Sequence, residues 1–305
     1  NLQFGGRYQL DLGIDLPLGT GQPPVVEAGI AVENGSVAFP PAGLDWEGVR
    51  GSLTYHSERG FSGGPLAAQF FGEAVNLAFS KAQSGNALSI QQSGSLPVPG
   101  VFARAGLSAD VGYGLKGNVD YTAELEVGGE STSGIRVRSS LEGLSVDWPA
   151  PLSKTALEKA PLQATIDPSA SAGLKISGDW ENRVTFDLLW KETGFDLYLD
   201  RLYFGEQVLN EIDVNALDLG DRWVVNTRSE RAEGRLVIPD DGDTVKADFE
   251  VIRLVRSEAS SEQPPELLTL EEQLEAFRAL DMGSWPDIDV AIADLQLNEG
   301  SLGRW

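Results

Sequence analysis

The side chains able to do chemistry are few. His56 is the only histidine, and there is no cysteine. Six residues after His56 stands Ser62-Gly63-Gly64-Pro65. A serine near a histidine invites comparison with trypsin-like hydrolases, but the Gly-Asp that should precede the nucleophile is here Gly60-Phe61. Ser-Gly-Gly-Pro is turn chemistry, and a catalytic triad is recognised by geometry and roles that this spacing does not provide. Asp240-Asp241-Gly242-Asp243 resembles the start of a calcium loop. Such a loop needs further oxygen ligands and a distal glutamate. Thr244-Val245-Lys246-Ala247 instead resumes a strand pattern, so Asp-Gly reads as a hairpin turn. The other carboxylates are scattered, with no pair marked for acid–base work. No phosphate-cradling glycine loop is present. One histidine and no cysteine argue against a transition-metal site, and disulfide and thiolate chemistry are excluded. The expectation is a protein with no catalytic site, no metal and no cofactor.

The charge balance narrows the partners. Asp and Glu number 46 against 23 Lys and Arg, a formal net charge of −23. Nucleic acid is excluded, because phosphate neutralisation needs clustered basic residues. Docking on an anionic lipid surface is disfavoured for the same reason. The acidic residues read as a solvated face that keeps an apolar chain in solution. No stretch approaches the ~18 uninterrupted apolar residues of a membrane span. The chain is expected to be a piece of a longer protein, with any export signal or anchor outside it.

What dominates the 305 residues is alternation with period two. Tyr8, Leu10, Leu12, Ile14, Leu16 and Leu18 occupy every second position, with Gln9, Asp11 and Asp15 between them. Val26, Ala28, Ile30 and Val32 continue the style, and Asn34-Gly35 then reads as a hairpin turn. The pattern returns at Leu66–Phe70 and Val75–Phe79 across Gly72, at 107–115, 119–127 and 135–141, at Val184–Trp190, Phe195–Leu199 and Val245–Val251, and at Ile288–Ile292. Short turns join the strands and no crossover helices separate most of them, so the sheet is predicted to be antiparallel. Residues 1–256 form this β region. Residues 257–283 read as a polar linker and one short amphipathic helix. Thr269 and Glu272 make a capping box, and Leu270, Leu274, Phe277 and Leu280 share a face. A weaker helical or irregular patch is expected at Ser153–Lys159. Residues 284–305 return as strands of the same sheet. The apolar faces either seal into a closed sandwich or barrel core, or remain open as a floor.

Four stretches are similar to a known family. Leu44-Asp45-Trp46-Glu47-Gly48-Val49-Arg50-Gly51-Ser52-Leu53-Thr54-Tyr55 runs into Gly60-Phe61-Ser62 and Leu66–Val75. Ser140–Lys154, which contains Trp148-Pro149-Ala150-Pro151-Leu152-Ser153-Lys154, is the most specific. Arg228–Pro239 and Trp285–Val290 complete the set. Together they resemble the YhdP branch of the AsmA-like proteins. Ala74 stands where that branch often has proline, Trp148 replaces an aliphatic residue, and Thr155 stands where proline is common.

The resemblance implies a mostly β protein with a long, curled antiparallel sheet whose concave side is an apolar groove. It implies an inner-membrane anchor outside this fragment, a periplasmic location, and phospholipid acyl chains as cargo passed between the inner and outer membranes. It carries no catalytic residues and names no protein partners. The physics suits that role, because each CH₂ of an acyl chain costs about 0.8 kcal/mol to expose to water. Strands with one apolar face, stacked ~4.8 Å apart, give a continuous apolar floor, which twist bends into a trough. The residues expected to face inward are Leu10, Leu12, Ile14, Val111, Tyr113, Val119, Tyr121, Leu125, Val137, Phe186, Leu188, Leu197, Phe249 and Val251. The alternative is a structural or adhesive β module of the envelope with a closed core and a protein partner.

Overall fold

The computed structural model describes residues 2–19, 23–40, 43–82, 87–98, 100, 114–128, 134–147, 152–168, 172–181, 183–204, 207–240, 244–254, 287–297 and 300–305. Most of these lie in strands. The chain divides into two compact units, one of Asn1–Trp190 with Arg201–Val208, the other of Lys191–Asp200 with Leu209–Trp305.

In the first unit the alternating segments become β1 (Gln3–Asp15), β2 (Val25–Phe39), β3 (Leu44–His56), β4 (Gly60–Ser62), β5 (Leu66–Phe70), β6 (Glu73–Lys81), β7 (Leu88–Pro97) and β8 (Leu115–Val127). They are followed by β9 (Ile135–Ser139), β10 (Leu144–Val146), β11 (Leu162–Asp167), β12 (Leu174–Trp180) and β13 (Val184–Lys191). Pairing is antiparallel from β1 to β2 to β3, then β5, β6, β7, β8, β9, β11, β12 and β13. β4 adds to β3 and β10 to β8. The sheet is not closed: among the described residues β1 pairs with β2 alone.

The turns show why the chain reverses where it does. Phe71 and Gly72 have φ of 51° and 78° between the paired Phe70 and Glu73. Two positive φ values match the right-handed twist of the strands that a two-residue hairpin joins. Asn34-Gly35, by contrast, is not a hairpin. It lies inside β2 at a bulge, where the pairing slips between Arg7 opposite Asn34 and Tyr8 opposite Val32. Gly35 is needed there for space: a Cβ would meet the Tyr8 hydroxyl at 2.9 Å. That hydroxyl lies 2.6 Å from the Gly5 carbonyl and 2.9 Å from that of Ser36. Ser153–Lys159 is irregular and held by Lys154. The Lys154 ammonium, buried at 4% exposure, donates to the carbonyls of Leu144 (2.8 Å) and Thr155 (2.9 Å). Burial pushes it below the usual lysine range, with Glu158 acting the other way.

In the second unit the strands are β14 (Gly194–Phe204) and β15 (Gln207–Asp218), each crossing the unit boundary, then β16 (Arg222–Arg228), β17 (Ala232–Pro239) and β18 (Val245–Leu254). β19 (Ile288–Ile292), β20 (Leu295–Leu297) and β21 (Gly300–Gly303) follow. From β15 to β18 the pairing is antiparallel. β19 and β20 both pair parallel to β18. The sheet is therefore mixed, which corrects the expectation of antiparallel pairing throughout. The reason is the long intervening segment, which is ample to carry the chain back to the same end of the sheet, as a parallel neighbour requires. The predicted linker and helix of 257–283, with Thr269, Glu272 and Phe277, lie outside the described residues.

One close approach makes a clean test of this backbone. Gly117 has φ +113° and a Cβ on it would sit 2.0 Å from the Gly143 carbonyl. Reciprocally, a Cβ on Gly143 (φ +95°) would sit 2.4 Å from the Asn118 carbonyl. Gly117→Ala is expected to cost about 3 kcal/mol in urea unfolding. Gly64→Ala, with nothing within 4 Å of its Cβ, is expected to leave the midpoint unchanged.

Candidate functional site

Residues that oppose one another across a pair share a face, so register settles facing that alternation alone leaves open. In the first unit one row runs Leu66, Leu77, Gln92, Ala123, Val137, Ala164, Gly178, Phe186. One residue along each strand, the opposite face reads Ala67, Asn76, Ser93, Thr122, Arg138, Gln163, Asp179, Thr185. The sheet is thus apolar on one side and polar on the other. On the apolar side Leu10 opposes Ile30, which opposes Leu53; Leu12 opposes Ala28, which opposes Tyr55; Ile14 opposes Val26. Leu125 opposes Ile90, Val119 opposes Leu96, and Tyr121 shares a row with Ser139, Leu162 and Trp180. Leu188 ends a row through Ile176, Ile166 and Ile135. Leu10, Leu12, Ile14, Val119, Tyr121, Leu125, Val137, Phe186 and Leu188 therefore share one continuous face.

The second unit repeats the arrangement. Ala216, Val225, Leu236, Ala247 and Val290 form an apolar row. Asn215, Asn226, Arg235 and Asp248 form the row behind it. Phe249 opposes Gly234 on the apolar side and Ile292 beyond. Phe195 stacks on Trp223 with ring centroids 6.1 Å apart, which places Leu197, two residues on, on the same side by alternation. Val251 opposes Glu233 beyond a register shift, so the apolar row does not continue to it. Val111 and Tyr113 lie outside the described residues.

The apolar side is covered unevenly. Leu10, Leu12 and Ile14 are 62%, 55% and 57% exposed. Val119, Val137, Phe186, Leu188, Leu197 and Phe249 are half-buried. Leu125 is buried, in a cluster drawn from β2, β3, β5, β6, β8 and β9: Val32, Val37, Phe39, Trp46, Val49, Leu66, Ala68, Phe70, Val75, Leu77 and Ile135. Trp46 and Phe70 rings lie 6.0 Å apart there. Val49 and Leu77 have no exposed surface. This part of the face is sealed by its own side chains.

Sequence reasoning missed the polar chain inside that cluster. The Trp46 indole N–H donates to Gln92 Oε1, and the Gln92 amide donates to the Tyr121 hydroxyl. Gln92 is buried. Alternation puts Gln92 on the side of Ile90, but nothing local shows which groups its amide would bond. Burial pushes the Tyr121 phenol up to about 12 from its ordinary 10.0, with the Gln92 hydrogen bond acting the other way.

An open concavity of about 650 Å³ is lined by Ser93, Asp120, Thr122, Arg138 and Gln163 together with Gly94, Tyr121, Ser139, Ser140, Pro161 and Leu162. Asp120 is the one carboxylate in its lining, short of the pair that glycoside hydrolysis uses. His56, the lone histidine, accepts the Glu58 backbone N–H at Nδ1 (3.2 Å) at the β3–β4 turn.

The raised Tyr121 pKa makes a pH prediction. A folded value above the unfolded one contributes stability that is complete below pH 10 and is lost as pH rises from 10 through about 12. Wild type should lose up to about 2 kcal/mol more than Tyr121→Phe over that window in parallel denaturation series.

A scan against family models matches the YhdP protein model over residues 1–201. No curated protein matches the chain. No solved structure matches it. The matched stretch is about two thirds of the chain and contains every strand from β1 to β13 with its shared apolar face, and on that match the chain belongs to the YhdP family.

Proposed function

We propose that the apolar face shelters phospholipid acyl chains and that the chain is a segment of a lipid-transfer conduit between the inner and outer bacterial membranes. YhdP family membership suggests a lipid-transport-related protein of the bacterial envelope. On this reading the full-length protein sits in the periplasm, anchored in the inner membrane outside this segment. The observation that carries the reading is the exposed apolar stripe of β1. Leu10, Leu12 and Ile14 are all more than half exposed and lie on one face. They continue in register into Ile30 and Leu53, with no polar residue between them on that side.

An exposed stripe of this kind is a cost in water that a soluble protein carries only for a partner. A sixteen-carbon tail costs about 13 kcal/mol to hydrate. Laying it along the stripe removes both apolar surfaces from water, and the headgroup stays wet at the open edge. No charged or hydrogen-bonding group need be positioned, and no catalysis is involved. Mixed aliphatic lining also favours passage over capture, because a deep binding well slows release.

A second reading has its own observation. The sealed cluster around Val49 and Leu77 is an ordinary packed core, as expected of a structural envelope module with a protein partner. Native mass spectrometry of gently purified protein separates the two: co-purifying phospholipid belongs only to the conduit.

Leu12→Glu tests the stripe directly. Leu12 is 55% exposed, so folding should be unaffected and the melting temperature unchanged within a degree or two. Binding of a fluorescent diacyl phospholipid should weaken about tenfold, equivalent to ~1.4 kcal/mol. Gln9→Glu, on the opposite face, should bind as wild type. Equal binding by all three proteins would remove β1 from the lipid path.

A further inference from the structure

The apolar face of the first unit passes register shifts in β2 and β3, with Ile30 and Leu53 packed against the cluster around Leu66 and Leu77, and it is interrupted in space. At one end β1 leaves Leu10, Leu12 and Ile14 exposed. At the other, Leu174 is exposed and Phe186 and Leu188 are half-buried on β12 and β13. Between them the face is sealed over Leu66, Leu77 and Leu125. The seal has an unusual fastening. In the pairing order β3 and β7 are separated by β5 and β6, yet the Trp46 indole of β3 bonds to Gln92 of β7. The bond therefore runs as a chord across the face and not along a strand pair. Gln92 then passes it on to Tyr121 of β8.

Gln92 occupies an apolar row, flanked by Leu77 and Ala123. A buried amide is tolerable only while its polar atoms are bonded. With the chord closed, Gln92 Oε1 and Nε2 are both satisfied. With a hydrocarbon chain between β3 and β7, the indole and amide face an acyl tail and lose each other. Parting the chord leaves the indole, the amide and the phenol without these partners, so the intact chain favours the closed arrangement.

Building on the conduit reading, we infer that Gln92 controls access: the Trp46–Gln92–Tyr121 chain holds the middle of the face shut, and acyl chains cross from the β1 stripe to the β12–β13 end only when it parts. Gln92 is a positioning residue in this scheme, acting through closure of the wall and not through contact with the headgroup.

The test is site-resolved labelling of the whole chain with a phospholipid bearing a diazirine in its acyl tail, supplied from phosphatidylcholine vesicles, with cross-linked peptides mapped by mass spectrometry. The native protein should label in β1 and in β12–β13, and sparsely in β6–β8. Gln92→Leu strands the Trp46 N–H and the Tyr121 hydroxyl, so labelling of β6–β8 should rise severalfold with β1 labelling unchanged. Trp46→Phe keeps an aromatic ring against Phe70 and removes only the donor, and should act in the same direction if the leucine variant folds poorly. Circular dichroism establishes that each variant is folded. Native protein labelled in β6–β8 as heavily as in β1, or folded variants with the native pattern, overturns the access role while leaving the conduit intact. An absence of labelling in every segment overturns the conduit reading and the access role together.

Discussion

Everything described here depends on the two-residue period of an extended backbone held in fixed register. Successive side chains of a strand point to opposite sides, and a slip of one residue would exchange the two sides entirely. From Leu66 to Phe186 the register keeps faith with the alternation across eight strands: Leu77, Ala123, Val137 and Ala164 on one side, Asn76, Thr122, Arg138 and Gln163 on the other. The hydrogen-bonded ladder is the same on both sides. The difference in solvent affinity is entirely in the side chains, and it is what gives the sheet one apolar and one polar side.

An open sheet must cover its apolar side with its own side chains or leave it bare. This chain does both. Where the strands carry large residues at inward positions, such as Trp46, Phe70 and Leu77, the side chains reach across and close. Where they carry Leu10, Leu12 and Ile14 on a strand with one neighbour, nothing within the described residues reaches them. Bulges contribute by bending strands locally: pairing slips at Asn34-Gly35, between Glu47 and Arg50, and at Glu233-Gly234.

How much of this was legible in the sequence follows from the range of each interaction. Strand character and the alternation along each strand are local properties that counting in twos reads, whereas the side that Leu10, Leu125, Val137 and Phe186 share depends on register between strands. The family was legible because Leu44–Tyr55 and Ser140–Lys154 are distinctive runs. The Asn34-Gly35 turn was misread because the same dipeptide that tolerates a hairpin also tolerates a bulge, and the choice is made by Tyr8 on another strand. The parallel pairing of β19 and β20 depends on where a distant segment returns, which alternation does not encode. Gln92 was invisible because its partners lie 46 and 29 residues away, at Trp46 and Tyr121. Lys154 lies within the Ser140–Lys154 run, but its bridging of Leu144 and Thr155 is a tertiary contact that the run does not encode.

The outer margin of β1 has a consequence for handling the molecule. Thirteen residues present a row of backbone donors and acceptors that bond to no neighbouring strand among the described residues, and such a margin is a template for another extended chain. What opposes self-association is long-range repulsion between bodies each carrying a charge of −23. That repulsion fades as salt shortens the Debye length from about 10 Å at 0.1 M toward about 3 Å at 1 M. Colloidal behaviour and ionic strength are therefore coupled, and concentrated brine weakens the repulsion that holds those ladders apart.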